Sequence, residues 1–252
     1  MIRLEKITAG YGETPVLQDV TLQFAPGSLT VLAGPNGSGK STLLKCAAGL
    51  LPVQAGQVLV DDAPLAEYEK DRRQLARKLA YLPQSRPVPG ITAKRMVLHG
   101  RFPHLGWPRR YRAEDHAAAK RAMEACGIGE LAHRPVSALS GGQRQKVYLA
   151  MALAQEAPAI LLDEPTTHLD IRHRLEILQL ARRLADEGKT VVLVLHELDL
   201  ALRYADKLAL LEQGKLVAFD APRKIAESGL LERVFGVRAE PAGEGYTFHL
   251  PE

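Results

Sequence analysis

Residues 34–42 read GPNGSGKST. They follow the apolar run SLTVLA at 28–33 and precede a helical pattern over 40–48. The spacing G-x-x-x-x-G-K-[ST], placed between a strand and a helix, is that of a phosphate-cradling loop. Its glycines let backbone N–H groups turn inward with no Cβ in the way. The helix opening near Lys40 aims its positive end at the same phosphate. Lys40 supplies a point charge for the β- and γ-phosphates, and Ser41 offers a hydroxyl to Mg²⁺. A glycine-rich turn before any helix is the plainer reading, but the flanking strand and helix are what the phosphate loop requires. Gly34, Asn36, Gly37, Ser38, Gly39, Lys40, Ser41 and Thr42 are therefore the candidate nucleotide-binding residues.

Working outward, short apolar runs alternate with helical patterns, which predicts an α/β protein with a mostly parallel sheet. AILL at 159–162 and TVVLVL at 190–195 are continuously apolar, as strands covered on both faces are. Between them, Leu175, Leu178, Ala181 and Leu184 recur at helical spacing over 171–186, with Gly188 as a stop. KLALLEQGKLVAFD at 207–220 reads as a hairpin turning at Gln213 and Gly214. From about 92 to 154 the pattern is mainly helical, an insertion in the α/β core. The tail after Val237 suggests a final strand or two.

Directly after AILL come Asp163 and Glu164, two acids just past the C-terminal end of a buried strand. In open α/β sheets ligands sit at that edge. Asp163 suits the Mg²⁺-holding role of a phosphate-loop NTPase. Glu164, one residue on, is placed to orient or deprotonate an attacking water. A solvated turn is the alternative, and the phosphate loop weighs against it.

A second glycine pair stands far from the first, in LSGGQ at 139–143. Ser140 and Gln143 fit an S-x-x-Q capping box ahead of a helix carrying Val147, Tyr148 and Met151. A cap does not need two glycines, whereas a helix start with free amides and a serine hydroxyl can bind a phosphate.

With these motifs in this order, nearly the whole chain resembles the ATP-binding cassette proteins, the nucleotide-binding subunits of ABC transporters. The resemblance implies a single domain over 1–252. It would comprise an α/β core from 1–86 and 155–252, with an antiparallel β portion, and a helical subdomain at 87–154 bearing LSGGQ. It implies that Ser140, Gly141, Gly142 and Gln143 contact ATP held by the phosphate loop of a second copy, in a head-to-tail homodimer. Position by position it further implies that Tyr11 stacks on adenine. Gln84, in YLPQ, would reach Mg²⁺ and sense the membrane partner. His196, after TVVLVL, would contact the γ-phosphate. Asp170, in THLD, would lie at the dimer seam. For Asp170 the plainer role is N-cap of the helix at 171–186, and the two are compatible. ATP and Mg²⁺ are the implied ligands, and Lys40, Gln84, Glu164 and His196 the implied catalytic residues.

The stretch HGRFPHLG at 99–106 is more particular. It is similar to a GR-x-P-H segment in the ATPase subunits that power import of iron siderophores, haem and vitamin B12. That likeness implies polytopic permease subunits as partners, a substrate-binding protein indirectly, and a place at the cytoplasmic face of the inner membrane. Arg101, Arg109, Arg110 and Arg112, with Trp107, are candidates to dock the partner or to face lipid headgroups; a solvated basic loop is the alternative. A soluble single-cassette ATPase, as in iron–sulfur assembly, and an exporter's ATPase share every other motif.

Composition agrees without selecting among these. The chain has 252 residues, 46% of them hydrophobic, with 33 Lys and Arg against 29 Asp and Glu. Cys46 and Cys126 lie in no metal-ligand spacing. The longest apolar runs are far too short to span a bilayer. No basic patch interleaved with several aromatics points to nucleic acid, and none is expected as a partner.

Overall fold

The computed structural model describes residues 1–84, 88–243 and 245–251. The boundary expected at 86/87 lies outside them. Two sheets dominate. Strands β1 (Ile2–Tyr11), β2 (Thr14–Phe24), β4 (Ala55–Val60) and β5 (Ala63–Pro64) form an antiparallel sheet in the order β2-β1-β4-β5. The second sheet contains β3 (Ser28–Ala33), β6 (Leu79–Leu82), β7 (Ala159–Leu162), β8 (Thr190–Val194), β9 (Lys207–Glu212) and β10 (Lys215–Asp220). Its order is β10-β9-β3-β8-β7-β6, parallel throughout except for the β9–β10 hairpin. A small hairpin of β11 (Arg238–Ala242) and β12 (Gly245–His249) follows.

The central strands read as unbroken apolar runs because both their faces are covered. On β3, Leu29 and Val31 enter one core and Leu32 the other. On β8, Val191 and Leu193 face the first, Val192 and Val194 the second. The first core includes α6 (Ile171–Asp186); the second includes α1 (Lys40–Ala47) and the inner face of the antiparallel sheet. Each fully buried aliphatic side chain contributes roughly 1.5–3 kcal/mol relative to exposure. α2 (Arg72–Lys78) leads directly into β6.

Between β6 and β7 lie α3 (Ala93–Leu98), α4 (Ala113–Ala125) and α5 (Gly141–Ala154), which pack on one another. The expected capping box closes α5: Gln143 N donates to Ser140 Oγ, and Ser140 N to Gln143 Oε1. α7 (Leu198–Tyr204), α8 (Pro222–Glu227) and α9 (Leu230–Phe235) complete the α-helices among the described residues. The α6 range agrees with the sequence reading, as does the hairpin over 207–220. Its turn is carried by Gln213 and Gly214, both at positive φ (49° and 79°). No described helix is long and apolar enough to cross a membrane. Both cysteines are buried and free.

Candidate functional site

The parallel strands bring separated stretches of sequence to one edge. The loop at 34–39 leaves the C-terminal end of β3, Asp163 that of β7, His196 that of β8, and Gln84 that of β6. A cavity of about 330 Å³ opens there, lined by Tyr11, Val16, Asn36, Gly37, Gly39, Lys40, Ser41, Thr42, Glu164 and His196. None of 139–143 is among these lining residues.

The loop's shape depends on its glycines. Gly34, Gly37 and Gly39 have φ of 150°, 78° and 98°. A Cβ on Gly34 would stand 2.1 Å from the Leu211 carbonyl oxygen, so the chain there admits no side chain. The loop is also tied to the hairpin turn: Gly214 N donates to the Ser38 carbonyl. Ser38 Oγ is buried with no hydrogen-bond partner, 2.6 Å from where a Cβ on Gly34 would stand. Lys40 is 5% exposed, and its Nζ donates to the carbonyls of Gly34 (2.8 Å) and Pro35 (2.9 Å). Burial pushes the Lys40 ammonium below the usual lysine range, while Glu164 and Asp163 pull the other way.

Asp163 is buried and doubly held. Ser41 Oγ donates to its Oδ1 at 2.7 Å, and Tyr81 Oη to its Oδ2 at 3.1 Å. A serine hydroxyl beside a carboxylate is an all-oxygen donor pair. That fits Mg²⁺, which binds through one or two protein oxygens and keeps waters and substrate phosphates for the rest.

Glu164 sits at φ 49°, sterically costly for a residue with a Cβ and disfavoured again by the following Pro165. Its carboxylate is the meeting point of the other predicted residues. His196 Nε2 is 2.7 Å from Oε1, while Gln84 Nε2 and Thr167 Oγ1 donate to Oε2. Strain in a sparsely populated backbone conformation persists where surrounding contacts fix it, and such strain clusters at functional sites. Tyr11 is 57% exposed at the cavity mouth, its hydroxyl 3.0 Å from Lys45 Nζ, which also lies 5.5 Å over its ring.

The LSGGQ residues start α5. Gln145, two residues on, donates to the Pro165 carbonyl at 2.7 Å. Asp170 N-caps α6, accepting from His173 N at 2.9 Å, and its Oδ1 also hydrogen-bonds His173 Nδ1 at 2.7 Å.

One expectation is corrected. Arg101 does not face a partner or lipid. It is 5% exposed, its Nε donates to Asp115 (3.0 Å), and its Nη1 donates to Glu156 (2.7 Å) and the Ala154 carbonyl (2.8 Å). A buried guanidinium needs such partners, so this arginine braces α4 against the end of α5. Gly100 has a like cause, since a Cβ there would stand 2.1 Å from the Met151 carbonyl. His104 Nε2 lies 2.8 Å from the Gln155 carbonyl. Gly100, Arg101 and His104 brace the interior, whereas Phe102, Trp107, Arg109, Arg110 and Arg112 are exposed.

Sequence reasoning passed over Tyr81, Val16, Thr167 and Gly214. Tyr81 carried a signal: it begins YLPQ, on the strand that leads to Gln84. Val16 carried none and Gly214 signals only a hairpin turn, because the packing of the two sheets brings the first to the loop and the strand order the second.

The sequence profile of the ABC transporter family matches residues 17–167. The chain is 43% identical over 239 residues to the ferric enterobactin transport ATP-binding protein FepC of Escherichia coli (strain K12), covering 94% of this chain and 88% of that one. It is equally identical, over 237 residues, to the hemin import ATP-binding protein HmuV of Rhodococcus jostii (strain RHA1), covering 93% and 80%. Among solved structures it is similar to a metal-chelate type ABC transporter in an inward-facing conformation, with TM-score 0.82, 28% identity, and 98% and 95% of the chains covered. It is similar too to a dimeric bacterial ABC transporter cassette, with TM-score 0.79, 30% identity, and 88% and 99% covered.

Proposed function

The chain belongs to the ABC transporter family, and from that premise we propose that it is the ATP-hydrolysing subunit of an importer for an iron–siderophore or haem. The observation that carries the ATPase is the convergence of Lys40, Ser41, Asp163, Glu164 and His196 at one sheet edge. The cargo group rests on relatives named for siderophore and hemin import.

In this reading Tyr11 stacks on the base. The 34–42 backbone and Lys40 hold the phosphates, with Lys40 Nζ exchanging the carbonyls of Gly34 and Pro35 for phosphate oxygens. Ser41 and Asp163 would hold Mg²⁺, with Gln84 reaching toward it. Mg²⁺, when bound, neutralises charge on the β- and γ-phosphates. Glu164 orients the attacking water and takes its proton, once its carboxylate exchanges His196 for that water. His196 then turns to the γ-phosphate. Most of the acceleration comes from positioning and charge stabilisation.

Residues 140–143 act in trans, on the nucleotide held by a second copy, in a head-to-tail homodimer with Asp170 at the seam; the likeness to a dimeric ABC transporter cassette supports this. The helices of residues 87–154 form the subdomain that carries the signature motif. The exposed surface of Trp107, Arg109 and Arg110 faces the permease at the cytoplasmic side of the inner membrane, with a substrate-binding protein reached through the permease. The test is a pull-down of tagged protein from detergent-solubilised native membranes, with ATPase assay of the product. Recovery of a polytopic permease and iron-chelate-stimulated hydrolysis, abolished by Lys40→Ala, is the expected result. Recovery of soluble assembly proteins and no membrane partner overturns the importer reading.

A further inference from the structure

The two glycines of the signature motif stand in different surroundings. Nothing in the chain lies within 4 Å of where a Cβ on Gly141 would be. A Cβ on Gly142 would meet the His173 ring, at 2.8 Å from Cδ2 and Cγ and 3.0 Å from Nε2. Gly142 has no positive φ, so its backbone would accept alanine. The nearest obstacle is the His173 ring. That ring cannot retreat freely, because its Nδ1 is hydrogen-bonded to Asp170 Oδ1, the same oxygen that accepts from the His173 backbone N–H.

One turn further along α6, Glu176 takes Lys146 of α5 at 2.6 Å and Arg172 at 3.1 Å. Gln145 reaches the Pro165 carbonyl from the same helix. The first two turns of α5 are thus held against α6 and the Glu164–Asp170 loop at three points: a ring in a glycine notch, an ion pair and an amide.

We infer that His173 is a positioning residue that couples the signature motif to the Asp170 loop of the same chain, with Gly142 kept free of a side chain to seat its ring. This rests on the proposed in-trans role of 140–143. It adds that the two elements a chain offers to its partner are set by one another before they meet it. Gly141 is bare for a different reason, which lies outside its own chain.

The test is a double-mutant cycle with two readouts. Gly142→Ala should lower ATPase kcat at least tenfold, with KM changing less. It should also speed hydrogen exchange at the His173 amide in nucleotide-free protein, by freeing the ring from Asp170. In the His173→Ala background the ring is gone, and adding Gly142→Ala should cost less than threefold. Gly141→Ala should lower kcat equally in both backgrounds and leave the His173 amide unchanged.

Equal losses from Gly142→Ala with and without His173, or an unaltered His173 amide, overturn the coupling. The exchange readout needs no hydrolysis. If the wild type proves inactive while the amide responds, the coupling stands and the ATPase reading falls.

Discussion

At Tyr81 a single hydroxyl separates two kinds of contribution to the site. Its bond to Asp163 Oδ2 fixes the carboxylate plane while Ser41 holds the other oxygen. Removing it leaves the residues that face ATP intact and loosens only the proposed cation-holding group. A net hydrogen bond is worth about 1 kcal/mol, more when one partner is charged. Tyr81→Phe should therefore raise the Mg²⁺ concentration for half-maximal ATPase by about 5–10-fold with kcat nearly unchanged, read from Mg²⁺ titrations at saturating nucleotide. The phosphate loop was legible in the sequence because its logic is local: glycine conformations, a lysine and a hydroxyl within eight residues. The set around Glu164 was legible only as separate candidates. Its contacts to Gln84 and His196 depend on β6, β7 and β8 being neighbours.

Among the elements, the three-helix insertion depends on Arg101. Its partners lie 14 and 55 residues further on, so no local pattern distinguishes it from its exposed neighbours Arg109 and Arg110. Arg101→Ala leaves Asp115 buried with an unpaired charge and should destabilise the protein by about 3–5 kcal/mol, measured by denaturant unfolding. The acid limb of stability should change as well. Burial pushes the Asp115 carboxyl up, but the Arg112 N–H and the Arg101 guanidinium outweigh it and hold it below the usual range. Its folded pKa is thus the lower one, so the stability it adds is full above the unfolded value of about 3.9 and is lost as pH falls through the folded value. Without Arg101 the burial effect gains weight and the folded pKa moves up toward the unfolded one, so Asp115 contributes less stability at neutral pH and less is lost on acidification, seen as a shallower fall of Tm as pH drops. Helix ends were readable where a side chain makes the cap, as at Ser140 and Asp170.

For the whole molecule, the separation of the 34–42 cradle from LSGGQ sets the expected behaviour. If each nucleotide is closed between two chains, blocking hydrolysis should trap the pair. Glu164→Gln should elute as a dimer with ATP and Mg²⁺ on a sizing column and as a monomer with ADP. A monomer under saturating ATP, with binding confirmed, would count against the sandwich. The mostly parallel sheet, its strands at 28–33, 159–162 and 190–194, the 207–220 hairpin and the helical insertion could be read from apolar periodicity, which leaves β1, β2, β4, β5 and β6 unplaced. The tie between Gly214 and the phosphate loop could not, since it follows from strand order alone.

That strand order also bears on synthesis. β3, which launches the phosphate loop, is hydrogen-bonded on one side to β8 and on the other to β9. Both neighbours arrive more than 150 residues after it, and the turn at Gly214, whose N–H donates to the loop's Ser38 carbonyl, comes later still. Contacts of such sequence separation carry a large loop-closure cost and form late. A nascent chain therefore leaves the ribosome with its nucleotide motif translated early and finished near the end. Until residue 214 has emerged, it carries the motif without the cradle.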